Sequence, residues 1–480
     1  MSTLADLIAS FFRRFSILLK LCVIGFLILL LLIPLSMVES VLNERIQRRN
    51  EAIGDITSTW GKDQSITGPV LVVPYQYTWK EYNGKKEEII RTDTARACFL
   101  PAELSIEGKA DSIRRARGIY EAIVYSTSLT LKGRFAVPDW DALKIDRKDV
   151  QWNDAYLALA INDLRGAKGQ IQASWGGTTI PFKPGSGLPG FSSGIYAPLK
   201  GTPLPGAPIV FSVDLDLNGS SSLNFTPLGI KNETHLASNW PSPSFSGAYL
   251  PAQHQVSAGG FDANWQVSYY GRSYPQSWTS RIPGVEFNEN TVAQSRYGVK
   301  FINLVDFYRN IERAIKYGIL FVLLTFTAFF LFEVTGKLRI HMFQYILVGG
   351  ALCLFYLALI ALSEFLRFGC AYAVAAGACT LMISIYSLAF LKSGFRTLLM
   401  GVGLAGIYSF LYVILQLEDY SLLVGTIGLF IALGAVMYAT RKIDWYEEKP
   451  QPLSPDLPPP LPARGESEPG KTVRSKALRR

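Results

Sequence analysis

Between Tyr317 and Tyr438 the chain is almost continuously apolar. A run of that length cannot pack inside a soluble domain, and it fixes the class of the protein before any motif is sought. Four polar breaks divide it: Glu333 to Gln344, Ser363 to Arg367, Lys392 to Thr397, and Glu418 to Tyr420. They leave five spans, Tyr317–Phe332, Tyr345–Leu362, Phe368–Leu391, Leu398–Leu417 and Ser421–Tyr438. A sixth apolar run, Ile17 to Met37, lies near the N-terminus behind Arg13 and Arg14. At about 1.5 Å per residue it is long enough to cross the hydrocarbon core. It is too long for a cleavable leader, and no small-residue cleavage site follows it, so it reads as a retained anchor helix. Charged residues make up only 18% of the 480, and mean hydropathy is +0.20. These values exclude a disordered chain, a coiled coil and a collagen-like chain.

The charges flanking the spans predict a topology. With the first helix running outward, the inner loops hold Lys337 and Arg339, Lys392 and Arg396, and Arg441 and Lys442. The short outer loops hold Arg367 alone, beside Glu364, Glu418 and Asp419. This is the positive-inside bias, and it puts both termini in the cytoplasm. Arg45, Arg48, Arg49, Arg309, Arg313 and Lys316 run against it, but they flank a long segment, and long segments cross largely regardless of charge. The expected layout is a cytoplasmic N-terminus (1–16), an anchor helix (17–37), a helical stalk (38–64), a periplasmic β-domain (65–312), five membrane helices (317–438) and a cytoplasmic tail (439–480). The tail is rich in proline, then basic, and reads as disordered. The net charge of +9 resides largely in juxtamembrane residues and this tail. No basic stripe marks a soluble domain, so a nucleic-acid partner is not expected.

The polar segment alternates with period two in several places, as at Pro69 to Tyr77, Tyr125 to Phe135 and Val210 to Leu217. Turn pairs such as Asn83-Gly84, Gly176-Gly177 and Asn218-Gly219 separate the runs. This predicts antiparallel sheets packed as a β-sandwich. Gly118-Ile119-Tyr120 and Gly194-Ile195-Tyr196 are a faint internal echo that could mark two related β-units. Cys98 is the one cysteine of this segment, so no disulfide can form within it.

Candidate chemistry is sparse. The three histidines, His235, His254 and His341, stand in no metal-binding spacing, and HExxH and SxxK signatures are absent. The glycine-rich stretch Pro184 to Gly194 has no helix pattern after it and reads as a surface loop. Asp214 and Asp216 share a strand face, more in the manner of a solvated surface than of an acid–base pair. No catalytic residue, cofactor or metal is expected. The segment Ser238 to Pro251 combines Pro241, Pro243 and Pro251 with Trp240, Phe245 and Tyr249. It is a candidate recognition loop, with a crossover that packs its rings on the sheet as the competing reading. In the membrane segment Glu333, Glu364 and Arg367 are boundary charges, and charges at such depth are functional candidates by default. Glu333 is expected to snorkel beside Lys337, and Glu364 to pair with Arg367.

Several stretches resemble the CreD family of inner-membrane proteins, the colicin-tolerance or cell-envelope-integrity family of Gram-negative bacteria. They include Ile66-Thr67-Gly68-Pro69-Val70-Leu71-Val72-Val73-Pro74, Gly118-Ile119-Tyr120, and Ile161-Asn162-Asp163-Leu164-Arg165-Gly166. They continue through Ser238-Asn239-Trp240-Pro241-Ser242-Pro243-Ser244-Phe245 and Thr325 to Glu333. Ala361-Leu362-Ser363-Glu364 and Ile443-Asp444-Trp445-Tyr446 complete the likeness. Two departures stand out: Phe365 occupies a position where relatives often carry histidine, and the tail past Glu448 is an extension. The resemblance implies an envelope-stress effector of the Cre two-component regulon, affecting colicin tolerance, β-lactam response and envelope integrity, with no catalytic residue to carry over. The expected partners are the lipid bilayer and an envelope component reached through the β-domain. Two alternatives stand beside this: a transporter or lipid-handling protein capped by the β-domain, and a carboxylate-based envelope hydrolase.

Overall fold

The computed structural model describes residues 16–82, 88–281, 287–302, 307–336, 340–391, 393–417 and 420–441. The N-terminal arginines, Lys337, Arg339, Lys392, Glu418, Asp419, Lys442 and the proline-rich tail lie outside the described residues.

Helix α1 (Ser16–Trp60) is 45 residues long, or roughly 65–70 Å at the α-helical rise. Its lower part buries one stripe, Ile24, Leu27, Leu31, Leu35, Val38 and Leu42, while Phe26, Leu29 and Ile33 on other faces stay exposed. Steps of three and four residues define a single contact face. That face packs on the other apolar helices, and a side chain at Gly349 would collide with Leu31. The helix stops at Gly61, whose φ of +140° is one that L-residues with side chains rarely adopt.

Seventeen strands follow among the described residues. They are β1 (Gln64–Tyr82), β2 (Glu88–Phe99), β3 (Glu103–Arg117), β4 (Tyr120–Phe135), β5 (Tyr156–Ile161), β6 (Gln172–Trp175), β7 (Thr178–Pro181), β8 (Lys183–Pro184) and β9 (Gly194–Pro198). Then come β10 (Ile209–Ser220), β11 (Ser222–Phe225), β12 (Lys231–Ser238), β13 (Pro243–Gly247), β14 (Gln253–Ser257), β15 (Gly260–Ser268), β16 (Ser277–Thr279) and β17 (Tyr297–Phe301). One sheet runs β13-β17-β11-β1-β5-β9-β8, with β2 on β1 and β16 on β2; the other runs β14-β15-β12-β3-β4-β10-β6-β7. All pairings are antiparallel except β1 with β11 and β3 with β12. A single hydrophobic cluster joins the two sheets. The two echoing tripeptides have unlike roles: Gly118 turns the β3–β4 hairpin, whereas Gly194 opens β9.

β1 departs from the alternation read in the sequence. Gln64 to Val73 are buried without a break, because this half of the strand lies in the middle of its sheet and is covered on both faces. Pro69 is accommodated by a register shift between Thr67 and Val70 in the pairing with β5. Cys98 is buried and free, and burial raises its thiol to about 12.

After a short helix α2 (Glu289–Ala293), the chain leaves the sheets at Phe301 and enters α3 (Phe307–Lys316). The expected β-domain boundary at residue 312 falls inside this helix. Tyr308, Ile311, Ala314 and Ile315 bury its apolar face in the membrane-helix core. Helices α4 (Gly318–Gly336), α5 (Met342–Ser363), α6 (Phe368–Leu391), α7 (Gly394–Gln416) and α8 (Ser421–Thr440) follow. With α1 they are long and apolar enough to cross a membrane.

The strand directions orient the β-domain. The β3–β4 turn packs Tyr120 against the helical bundle, so Arg117 marks the bundle-facing end and Glu103 the far end. β2 reaches Phe99 just before Glu103, and Phe99 pairs with Leu71. The β1–β2 ribbon therefore extends past the far end of β3, out to the Tyr82–Glu88 pair.

Candidate functional site: the junction between the β-domain and the membrane helices

α1 is the common element of this junction, and ion pairs fix it at two levels. At the lower level Lys20 pairs with Glu333 of α4. Glu333 is only 5% exposed. Its other contacts are the Ile340 amide, which donates to Oε1 at 2.9 Å, and the Tyr345 hydroxyl, which donates to Oε2 at 3.3 Å. A carboxylate so placed is held by a cation and two donors, the arrangement a buried charge requires. Glu333 is thus not a snorkelling side chain.

At the upper level Arg45 lies 3.5 Å from Glu364 at the end of α5. Glu364 turns to α1 and not to Arg367, which is exposed. The i, i+3 pair loses because Arg45 reaches the buried face of Glu364, where desolvation makes a partner matter more. Arg49 stacks on the Tyr308 ring of α3 at 5.6 Å. Arg313 of α3 donates to the carbonyls of Ile414, Leu415 and Leu417 at 3.1–3.2 Å. It caps the C-terminus of α7, where the helix dipole favours a cation.

Higher still, α1 plugs into the sheets. Trp60 donates from Nε1 to the Tyr125 carbonyl at 3.1 Å, and Arg115 lies 4.1 Å over its ring. Arg117 pairs with Asp55. Asp163 closes the connection from α1 to β1. It accepts from the Lys62 amide at 3.0 Å and from Arg165 Nε and Nη2 at 2.9 Å each. These bonds, the Arg165 side chain first, lower the Asp163 carboxyl to about 2.

The candidate recognition loop is incorporated into the β-domain. Trp240 is 7% exposed and donates to the Ile302 carbonyl at 3.1 Å. Phe245 belongs to β13 and meets Phe261 and Trp265 edge-on at 5.7 Å each. Tyr249 is half-buried and donates to the Gly271 carbonyl at 2.7 Å. The prolines suit this role, since β13 is an edge strand. These three rings are therefore placed as packing.

The remaining candidates are dispersed. His235 meets Asp262 at 2.8 Å across adjacent strands, His254 lies against Phe245, and His341 caps α5. Asp214 and Asp216 are exposed, and Asp214 accepts from Thr130. Among the described residues no group of three or more His, Cys, Asp or Glu could hold a metal. Two short patterns have the form of catalytic signatures without the structural context those signatures need. Gly190-Phe191-Ser192-Ser193-Gly194 has the GxSxG form but leads into β9, whereas a nucleophile elbow leads into a helix. Gly465 to Thr472 has phosphate-loop spacing but follows a proline run in the sequence and lies outside the described residues.

The surface holds a feature that alternation alone did not reveal. From Gln76 to Tyr82 and from Glu88 to Thr94 nearly every residue of the β1–β2 ribbon is exposed. This arm, roughly 20 Å long at the usual strand rise, presents Trp79, Tyr82, Ile89 and Ile90, with Tyr82 and Ile90 each 68% exposed. Tyr77 and Trp79 stack at 5.5 Å, and Lys80–Glu88 and Arg91–Glu81 clasp the two strands.

An N-terminal apolar helix, a large β-rich domain and several C-terminal apolar helices make this a multi-pass membrane protein. The family model described as "Inner membrane protein CreD" matches residues 16–446. The inner membrane protein CreD of Escherichia coli (strain K12) is 33% identical over 423 residues, 87% of this chain and 91% of its own length. The chain belongs to the CreD family. Among solved structures, an M1 zinc metallopeptidase from Deinococcus radiodurans matches over 75% of this chain and 96% of its own, with 9% identity and a TM-score of 0.18. That likeness carries no argument.

Proposed function

We propose that the chain serves envelope integrity under stress, including tolerance to colicin and β-lactam, by engaging an envelope component through its β-domain. In this reading the β-domain is periplasmic, both termini are cytoplasmic, and the protein acts by interaction and not by catalysis. The observation that carries the reading is the β1–β2 arm. Trp79, Tyr82, Ile89 and Ile90 are exposed at the end of the domain furthest from the bundle. Exposed aromatics clustered on one element mark interaction surfaces, whereas scattered exposed apolar residues do not. The junction fits the same role. A load on the arm reaches the helices through sheets fastened to α1 at Trp60 and Asp163, and through α1 fastened to the bundle at Glu364 and Glu333.

A second reading, lipid handling, is favoured by a small apolar notch between α4 and α7, walled by Thr325, Phe332, Met400 and Gly403. Its apolar lining suits an acyl chain better than an ion.

The arm is tested by Trp79→Ala with Tyr82→Ser. Both side chains lie outside the core, so melting of the purified protein is expected to stay within about 1 kcal/mol of the parent in stability. Cells carrying the variant are expected to lose the envelope-stress phenotype. A retained phenotype with unchanged melting would remove the arm from the account.

A further inference from the structure

β13 ends one sheet and β14 the other, and Phe245 of β13 meets His254 of β14 edge-on at 5.1 Å. On β14, His254 pairs with Ala263 and Val256 with Phe261. Directly opposed residues share a face of a sheet. Ala263 and Phe261 are buried in the core, so His254 and Val256 face inward as well. Both are nevertheless exposed, Val256 by 50%. An inward-facing valine that stays half open marks a sheet that stops one strand short of covering its core.

The edge itself is undefended. β14 pairs with β15 on one side, and all of its residues are exposed. A strand paired on one side only presents a row of N–H and C=O groups on the other. Proteins blunt such rows with proline or charge, and three other edge strands here do so. β7 ends in Pro181, β8 is Lys183-Pro184, and β13 begins at Pro243. β14 reads Gln253-His254-Gln255-Val256-Ser257, with no proline and no Lys, Arg, Asp or Glu.

We propose that β14 takes up an extended segment of another protein as an added strand, whose apolar side chains at every second position cover Val256 and His254. The lie of the chain in the membrane argues against two other occupants. β12 runs parallel to β3, toward the bundle; β15 runs back, and β14 again runs toward the bundle. Identical edges join into one sheet as antiparallel strands about a two-fold axis across them, which would set one copy upside down in the bilayer. The chain's own ends are out of reach. Ser16 starts α1 below Lys20, and α8 runs back down from the end of α7 that Arg313 caps. Both ends therefore leave on the side of the membrane opposite β14. β14 is no part of the arm, so the failure of either site leaves the other standing.

The test selects phage-displayed random peptides on the full-length protein in detergent. Enriched peptides are expected to lack proline and to be apolar at alternate positions. A synthetic copy of the best one should bind saturably, and about tenfold more weakly to Val256→Lys, the worth of covering one valine side chain. Val256 is exposed, so melting of the variant should match the parent. N-methylation of the peptide then reads the binding mode. Methyl groups on one alternate set of its amides should abolish binding and on the other set should leave it, because only one set faces β14. That comparison needs the parent protein alone, so it decides even if Val256→Lys does not fold. No enrichment, undiminished binding to Val256→Lys, or equal tolerance of both methylated sets would each overturn the proposal. A dimer in light scattering that Val256→Lys dissociates would also overturn it, by making a second copy the occupant.

Discussion

Asp163 shows how much one side chain can organise. It receives bonds from the residue that ends the α1 connection and from Arg165 two positions on, so it ties the anchor helix to the start of β1. Its carboxyl is lowered to about 2, below the usual value of about 4 in an unfolded chain. A depressed acid stabilises the fold fully above the unfolded value, and the contribution drains as pH falls toward the folded one. Asp163→Asn is expected to cost about 1–3 kcal/mol at neutral pH, as hydrogen bonds to a charged group do. The gap between parent and variant, followed by thermal unfolding in detergent, should narrow from about pH 4 to about pH 2. A gap that stays constant over that range would mean that the carboxylate charge is not what holds the connection. The sequence displays Asp163 inside a family-like stretch, yet nothing in the stretch says what it holds. Its partner Lys62 lies about a hundred residues away along the chain. The same limit hid the partners of Glu333 and Glu364. Both acids are conspicuous in an apolar run, but Lys20 is 313 residues from Glu333, and only the packed bundle brings the two together.

Among the elements, α1 and β1 carry the architecture. The apolar length of α1 is plain in the sequence, and so is its polar continuation. The stripe that packs on the bundle is harder to see, because all faces of a membrane helix are apolar and the 3.6-residue period loses contrast. β1 fails in the opposite sense: its first half is buried on both faces, which erases the alternation that strand reading depends on. The aromatics of the proline-rich loop were ambiguous for a physical reason, since stiff aromatic segments serve equally as binding loops and as edge strands. The Lys20–Glu333 pair tests the docking of α1. Removing one partner of a buried pair strands the other, at a cost of about 3–5 kcal/mol when both are buried. Lys20 is 38% exposed, which reduces that figure. A double-mutant cycle of Lys20→Met and Glu333→Gln, read by melting in detergent, is expected to return a coupling of about 1–3 kcal/mol. Additive effects would show that the two helices dock without the pair.

For the molecule as a whole, the order of the chain translates into a column: helices in the membrane, α1 rising from them, the β-domain on its upper end with β3, β4 and β10 against the helix, and the arm beyond. The column has a functional sense only if the β-domain faces the periplasm. A reporter enzyme active only in the periplasm should be silent when fused after Arg441 and active when inserted between Tyr82 and Glu88; the reverse pattern would invert the account. Given that orientation, the arm is the part of the protein placed to meet something else. A photo-crosslinking residue at Tyr82 or Ile90 in intact cells should capture the same envelope species from both positions. A probe at the exposed Val210 of β10 should not, and Trp79→Ala should abolish the adduct. Capture at Val210 with none on the arm, or arm adducts unaffected by Trp79→Ala, would contradict the claim that the β-domain works through its arm.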